Sequence, residues 1–235
     1  MTAHPHAPAF AHVREWVFDL DNTLYPRHCD LFGQIDVRMT AYVSRLTGLA
    51  HEEARGLQKR LYFEHGTTLN GLMSEFDIDP HAYLAEVHDI DYSVIPNDAR
   101  LGRAIASLPG RKHIFTNGDV AHAEKTLTAL GIAAVFDATF DIVAANFEPK
   151  PSIGAYRRFV HDRRIDPVRA AMFEDLPRNL EPAKSLGMAT VLVVPATGPH
   201  HASEAWERAD GSETHIDHVT GDLAGFLSDA IPAHD

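Results

Sequence analysis

The sequence predicts an α/β protein, a doubly wound parallel sheet interrupted near its start by a helical insertion. Three observations lead there. A short apolar run, Trp16-Val17-Phe18, ends in two carboxylates, Asp19 and Asp21. From Pro26 to about Ile95 the apolar spacing is helical, and no convincing strand pattern occurs. From Ala99 onward strand and helix patterns alternate, as in a parallel sheet with helices on both faces.

Taken in order, residues 1–12 are rich in Ala, Pro and His and read as a loose tail, without the basic start and apolar middle of a signal peptide. Trp16 to Asp19 is the first strand. Leu31, Ile35, Met39, Tyr42, Val43 and Leu46 recur at three and four, and Thr47-Gly48 closes that helix. A second helix runs from His51 to Tyr62, a Gly/Thr-rich break spans 63–72, a third helix starts near Thr68 or Leu69, and a fourth near Asp79-Pro80. This block, 26–95, stands above the sheet as a lid. Residues 13–25 and 96–235 form the core.

In the core, helix 98–108, strand 113–115, helix 119–130, strand 140–144, helix 151–163, strand 170–173, helix 178–186 and strand 190–194 follow one another. Pro195 to Ser212 reads as a polar loop with a helical turn at 203–209. A last strand, 216–219, and a last helix, 222–230, complete the chain.

A formal net charge of -12 offers no basic field to duplex nucleic acid, while a small anionic substrate remains compatible if a metal and local cations shape its pocket. No apolar run is long enough to span a bilayer. The one cysteine, Cys29, cannot form an internal disulfide and fits a reducing compartment, so a cytoplasmic setting is expected.

The chemistry concentrates at strand ends. Asp19 and Asp21, two apart on extended chain, point to one side. Close carboxylates repel, so one tends to bind a cation and the other to hold a proton, a pairing suited to phosphoryl transfer. The same residues also make a good polar turn. Thr116 and Asn117 open a helix after a strand and suit a phosphate, or serve as ordinary caps. Lys150, between two prolines, offers a point charge, or is a solvated surface lysine. Glu174-Asp175 suits Mg²⁺, or complements the following helix dipole. The four clusters occur in order, each at an expected strand end. Together they supply a nucleophile, an acid/base, a hydroxyl, a cation and metal ligands.

Phe18-Asp19-Leu20-Asp21-Asn22-Thr23-Leu24-Tyr25, Phe115-Thr116-Asn117, Lys150-Pro151 and Phe173-Glu174-Asp175 resemble the four motifs of the haloacid dehalogenase-like hydrolase superfamily. The resemblance implies a Rossmann-like core with an inserted helical cap. Asp21-Asn22-Thr23-Leu24-Tyr25-Pro26 and Gly66-Thr67-Thr68-Leu69-Asn70-Gly71-Leu72 resemble pyrimidine 5'-nucleotidases in particular. It implies that Asp19 is a nucleophile forming an aspartyl phosphate, and that Asp21, protonated at the outset, is the acid/base. It also implies that Mg²⁺ is held by Asp19, Asp175 and the Asp21 carbonyl. Glu174 stands where the family often has Asp, and is expected to support Asp175, with Asn179 steadying the loop. Thr116, Lys150 and the Asn117 N–H hold the phosphoryl group. In the cap, Tyr25, Tyr62, Phe63 and His65 are candidates to flank a base, and Thr67 and Thr68 to bond its edge; the aromatics also read as cap core and the threonines as helix caps. Other readings are a phosphatase for phosphoglycolate or a sugar phosphate, a dehalogenase, which has no need of Asp21, or a non-catalytic nucleotide-binding module.

Overall fold

Glu15–Phe18 form β1, and all four residues are buried because the strand lies inside the sheet. The computed structural model describes residues 7–195 and 213–230. The strands are β1 (Glu15–Phe18), β2 (Arg111–Phe115), β3 (Ala138–Phe140), β4 (Ala170–Glu174), β5 (Ala189–Val193) and β6 (His218–Thr220). The α-helices are α1 (Ala7–Phe10), α2 (Leu31–Thr47), α3 (His51–His65), α4 (Thr68–Phe76), α5 (Pro80–Val87), α6 (Ala99–Ala106), α7 (Val120–Leu130), α8 (Ile153–Arg163), α9 (Pro177–Ser185) and α10 (Leu223–Asp229).

The six strands are parallel in the order β3-β2-β1-β4-β5-β6. The chain runs outward from β1 to β3, then returns to the other side of β1 for β4. That reversal leaves a crevice at the carboxyl edge, the usual ligand position in open α/β sheets. Phe18 is in register with Ile114 and Phe173, so Asp19 follows level with Phe115 and Glu174, and Thr116 lies one residue beyond.

Alternation along β1 divides the core. Trp16 and Phe18 pack with Phe173 and Phe226 on one face; Val17 packs with Phe115, Phe159 and Met172 on the other. A third cluster, including Ile35, Val43, Leu61, Leu72 and Tyr83, holds α2–α5 together as the helical cap. Gly48 at φ 73° ends α2, its N–H bonded to the Ser44 carbonyl. Asp79 caps α5, with Pro80 at its first position. Among the described residues no helix is long and apolar enough to cross a membrane.

Several elements differ from expectation. The third strand is 138–140, not 140–144. Asp141 caps the turn that follows, accepting from the Ala144 N–H at 2.8 Å, and Ile142 leaves the sheet for the cap core. The last strand begins at His218 rather than Ile216, because the Asp217 carboxylate accepts the Thr190 N–H at 3.0 Å and the Thr190 hydroxyl. The second helix continues to His65. Residues 7–10 are helical, and Phe10, in the segment read as a loose tail, is 2% exposed, stacked near Trp16 and edge-on to Phe226. The helical turn read at 203–209 lies outside the described residues.

Candidate active site

Lys150 precedes α8 and is 1% exposed. Its Nζ donates to Asp19 Oδ1 at 2.6 Å, to Glu174 Oε1 at 2.8 Å and to the Phe115 carbonyl at 2.9 Å. Three acceptors match the three hydrogens of an ammonium, so the charge is buried but fully bonded. Asn117 fixes this lysine from behind: its Oδ1 accepts from the Lys150 N–H at 2.8 Å and its Nδ2 donates to the Lys150 carbonyl at 3.2 Å.

Asp19 accepts from the Thr23 hydroxyl through Oδ2 at 2.8 Å. Burial pushes its carboxyl up to about 7; Lys150 pulls against that rise, and Glu174 and Asp21 add to it. Glu174 accepts from Asn179 Nδ2 at 2.6 Å and from the Leu176 N–H at 2.7 Å. The Thr116 hydroxyl accepts from the Gly118 N–H at 2.9 Å and lines the cleft.

Asp19, Glu174 and Asp175 offer carboxylate oxygens within 4.8 Å of one another. An all-oxygen, acid-rich donor set of this kind fits a hard divalent cation such as Mg²⁺. Burial, then Glu174 and Asp19, raise the Asp175 carboxyl well above the ordinary range, with Arg27 and Lys150 opposing. Arg27 lies 2.6 Å from Asp175. A second group, Glu64, His65 and Glu75, lies on the cap surface, but Arg60 already pairs with both glutamates, at 2.6 and 2.8 Å.

Asp21 is the main departure. Tyr25 donates to its Oδ1 at 2.6 Å, and His122 Nε2 lies 2.8 Å from the same oxygen. Burial raises the Asp21 carboxyl, but His122, the Tyr25 bond and His88 outweigh it and bring the value down to about 2. Burial pulls His122 toward its neutral form, yet Asp21 and Asp119 hold it above the usual histidine range. These shifts favour a carboxylate on Asp21 and a proton on His122, where the sequence reading expects Asp21 to hold a proton at the outset.

The cap forms the far wall of the cleft. Thr67, Thr68, Tyr62, Gln58 and Tyr83 line it. Thr67 also caps α4, accepting from the Asn70 N–H at 3.1 Å. Of the expected base-flanking residues, Tyr25 is buried and turned to Asp21, His65 points to Glu75 at 3.2 Å, and Phe63 is 66% exposed; none lines the cleft. Tyr62 does, and its hydroxyl accepts from Arg178 at 2.7 Å, joining the cap to the core. His122, Thr23, Arg27 and Arg178 were not identified from sequence. Their partners lie elsewhere in the chain or, for Thr23, inside the same motif.

The sequence profile of the haloacid dehalogenase-like hydrolases matches residues 16–187. The enolase-phosphatase E1 of Frankia alni (strain DSM 45986 / CECT 9034 / ACN14a) is 33% identical over 94 residues, which span 39% of this chain and 39% of that protein. Among solved structures, the HAD phosphatase from Thermococcus onnurineus has a TM-score of 0.59 at 17% identity, covering 90% of this chain and 94% of that one. The L-2-haloacid dehalogenase of Xanthobacter autotrophicus has a TM-score of 0.56 at 16% identity, covering 92% and 97%. At these identities the likeness is one of fold.

Proposed function

The chain belongs to the haloacid dehalogenase-like hydrolases, and on that premise we propose that it is a Mg²⁺-dependent phosphatase of pyrimidine nucleoside 5'-monophosphates. The observation that carries the reaction type is Lys150 bonded to both Asp19 and Glu174, with the Asp21 carboxylate two residues from Asp19. Displacement at carbon needs neither a second carboxylate for proton transfer nor an acidic cluster fit for a divalent ion. The name of the Frankia relative, a phosphatase, agrees in reaction type.

Asp19 attacks phosphorus in line and forms an aspartyl phosphate. Lys150, the Thr116 hydroxyl and the Asn117 N–H hold the phosphoryl oxygens, whose charge grows in the transition state. As the doubly negative ester enters, its charge raises the Asp21 value, and Asp21 takes a proton from solvent. Asp21 passes that proton to the ribose 5'-oxygen, then accepts one from the water that releases phosphate. Asp19, Asp175 and the Asp21 carbonyl would hold Mg²⁺, with Glu174 in support; when bound, it offsets charge between phosphate and nucleophile.

The base faces residues of 26–95, which we assign to the cap, the other described residues forming the core. Phe32, Met39 and Leu84 give an apolar wall, and Gln58 and the Tyr83 hydroxyl give polar edges. Tyr83 has no hydrogen-bond partner for its buried hydroxyl, which supports a ligand group there. The single cysteine, Cys29, is free and supports a cytoplasmic setting.

The test is phosphate release by purified protein with Mg²⁺ from pyrimidine and purine nucleoside monophosphates, phosphoglycolate and sugar phosphates. The highest kcat/KM is expected for uridine or cytidine monophosphate. Preference for a purine nucleotide or a small ester replaces the substrate assignment. Nucleotide binding without release from any ester makes the chain a non-catalytic binding module.

A further inference from the structure

We propose that His122 is a positioning residue that aims the Asp21 carboxylate at the leaving oxygen. The assignment rests on the phosphatase reading. Two donors, Tyr25 and His122, converge on Asp21 Oδ1, at 2.6 and 2.8 Å. Among the described residues, Oδ2 has no donor, and Asp21 lines the cleft. A carboxylate gripped by one oxygen cannot rotate without breaking both bonds. Its other oxygen therefore stays toward the site where the ester oxygen, and later water, must sit.

His122 is itself held. It is 0% exposed and lies on α7, whose first turn is capped by Asp119 accepting the His122 N–H at 2.8 Å. Its Nδ1 lies 3.0 Å from the Tyr92 hydroxyl. That hydroxyl also donates to the His88 carbonyl at 3.0 Å. The His88 ring stacks on His122, with centroids 4.4 Å apart and planes 16° apart, and its Nδ1 lies 3.2 Å from Asp119. His88 follows α5 of the cap, while Asp119 and His122 belong to the core. The imidazole is thus fixed at both nitrogens and across its face, by groups from both sides of the cleft. Such multiple anchoring is what holds a reacting group within a productive geometry.

In the first step the bond from phosphorus to the ester oxygen breaks, the Asp19–phosphorus bond forms, and the proton on Asp21 Oδ2 moves to the departing oxygen. An alkyl leaving group needs that proton. A p-nitrophenolate leaves without it.

The experiment compares kcat/KM for the alkyl phosphate preferred in the substrate panel with that for p-nitrophenyl phosphate, with Mg²⁺. His122→Phe keeps the ring and removes both N–H groups. It is expected to lower kcat/KM about 100-fold for the alkyl ester, the scale of acid catalysis, and only a few-fold for p-nitrophenyl phosphate. His122→Gln restores an N–H and most of the alkyl rate. Tyr92→Phe frees Nδ1 at a position that is only partly buried, and shows the same selectivity to a smaller degree; it serves if His122→Phe does not fold. Equal losses on both esters, or no loss, overturn the role of His122 while the phosphatase reading stands. A wild-type protein inactive on both esters overturns the phosphatase reading, and this assignment with it.

Discussion

Lys150 Nζ and Asp19 Oδ1 are 2.6 Å apart, with side chains 1% and 9% exposed. A buried pair of this kind is costly to break, because the surviving charge keeps its desolvation penalty. Lys150→Met leaves Asp19 and Glu174 facing each other. We expect it to destabilise the fold by about 3–5 kcal/mol, read by chemical denaturation, and to abolish turnover.

Tyr83 buries a hydroxyl without a partner at the cleft wall. Tyr83→Phe removes only that group. If substrate bonds it, KM rises about 5-fold, corresponding to a hydrogen bond of about 1 kcal/mol, while stability is unchanged or improved. Steady-state kinetics and thermal unfolding on one sample separate the two effects.

Arg178 reaches across the cleft mouth, bonding the Tyr62 hydroxyl at 2.7 Å and lying 5.2 Å from its ring centroid. Arg178→Ala loosens a contact between core and cap without touching Asp19. We expect KM to rise several-fold and kcat to change less, measured with the preferred substrate.

His113, on β2, is 2% exposed and lies 2.9 Å from Glu15. Burial lowers its value below the usual range, with Glu15 opposing. The unfolded chain then binds a proton, near pH 6.5, that the folded chain does not. Its contribution is present above that pH and is lost as pH falls toward the folded value. His113→Gln is expected to flatten the loss of stability between pH 7 and pH 5.5, measured by urea denaturation at several pH values.

Three of the clusters were legible because each is local: an apolar run, then acids or a hydroxyl within a few residues. Parallel pairing brings those ends to one edge, so Asp19, Thr116 and Glu174 meet there, while Lys150, expected at a strand end, lies well past Phe140 and reaches them from the loop before α8. The state of Asp21 was not legible. It depends on His122, 101 residues away, whose approach is set by how α7 packs on the sheet. Arg27 and Asp175, 148 residues apart, are likewise joined only by the fold. Phe10 was hidden by its Ala-Pro-His surroundings. Ile142 read as strand because an apolar residue looks the same whether it enters the sheet or the cap.

The account turns on Asp19 as the group that receives the phosphoryl. The direct measurement is acid quenching of the protein with Mg²⁺ and uridine 5'-monophosphate, followed by mass spectrometry of the peptide that contains residue 19. A phosphoryl adduct on Asp19 in the wild type, and neither adduct nor phosphate release in Asp19→Asn, is the predicted result. Undiminished phosphate release by Asp19→Asn contradicts the account.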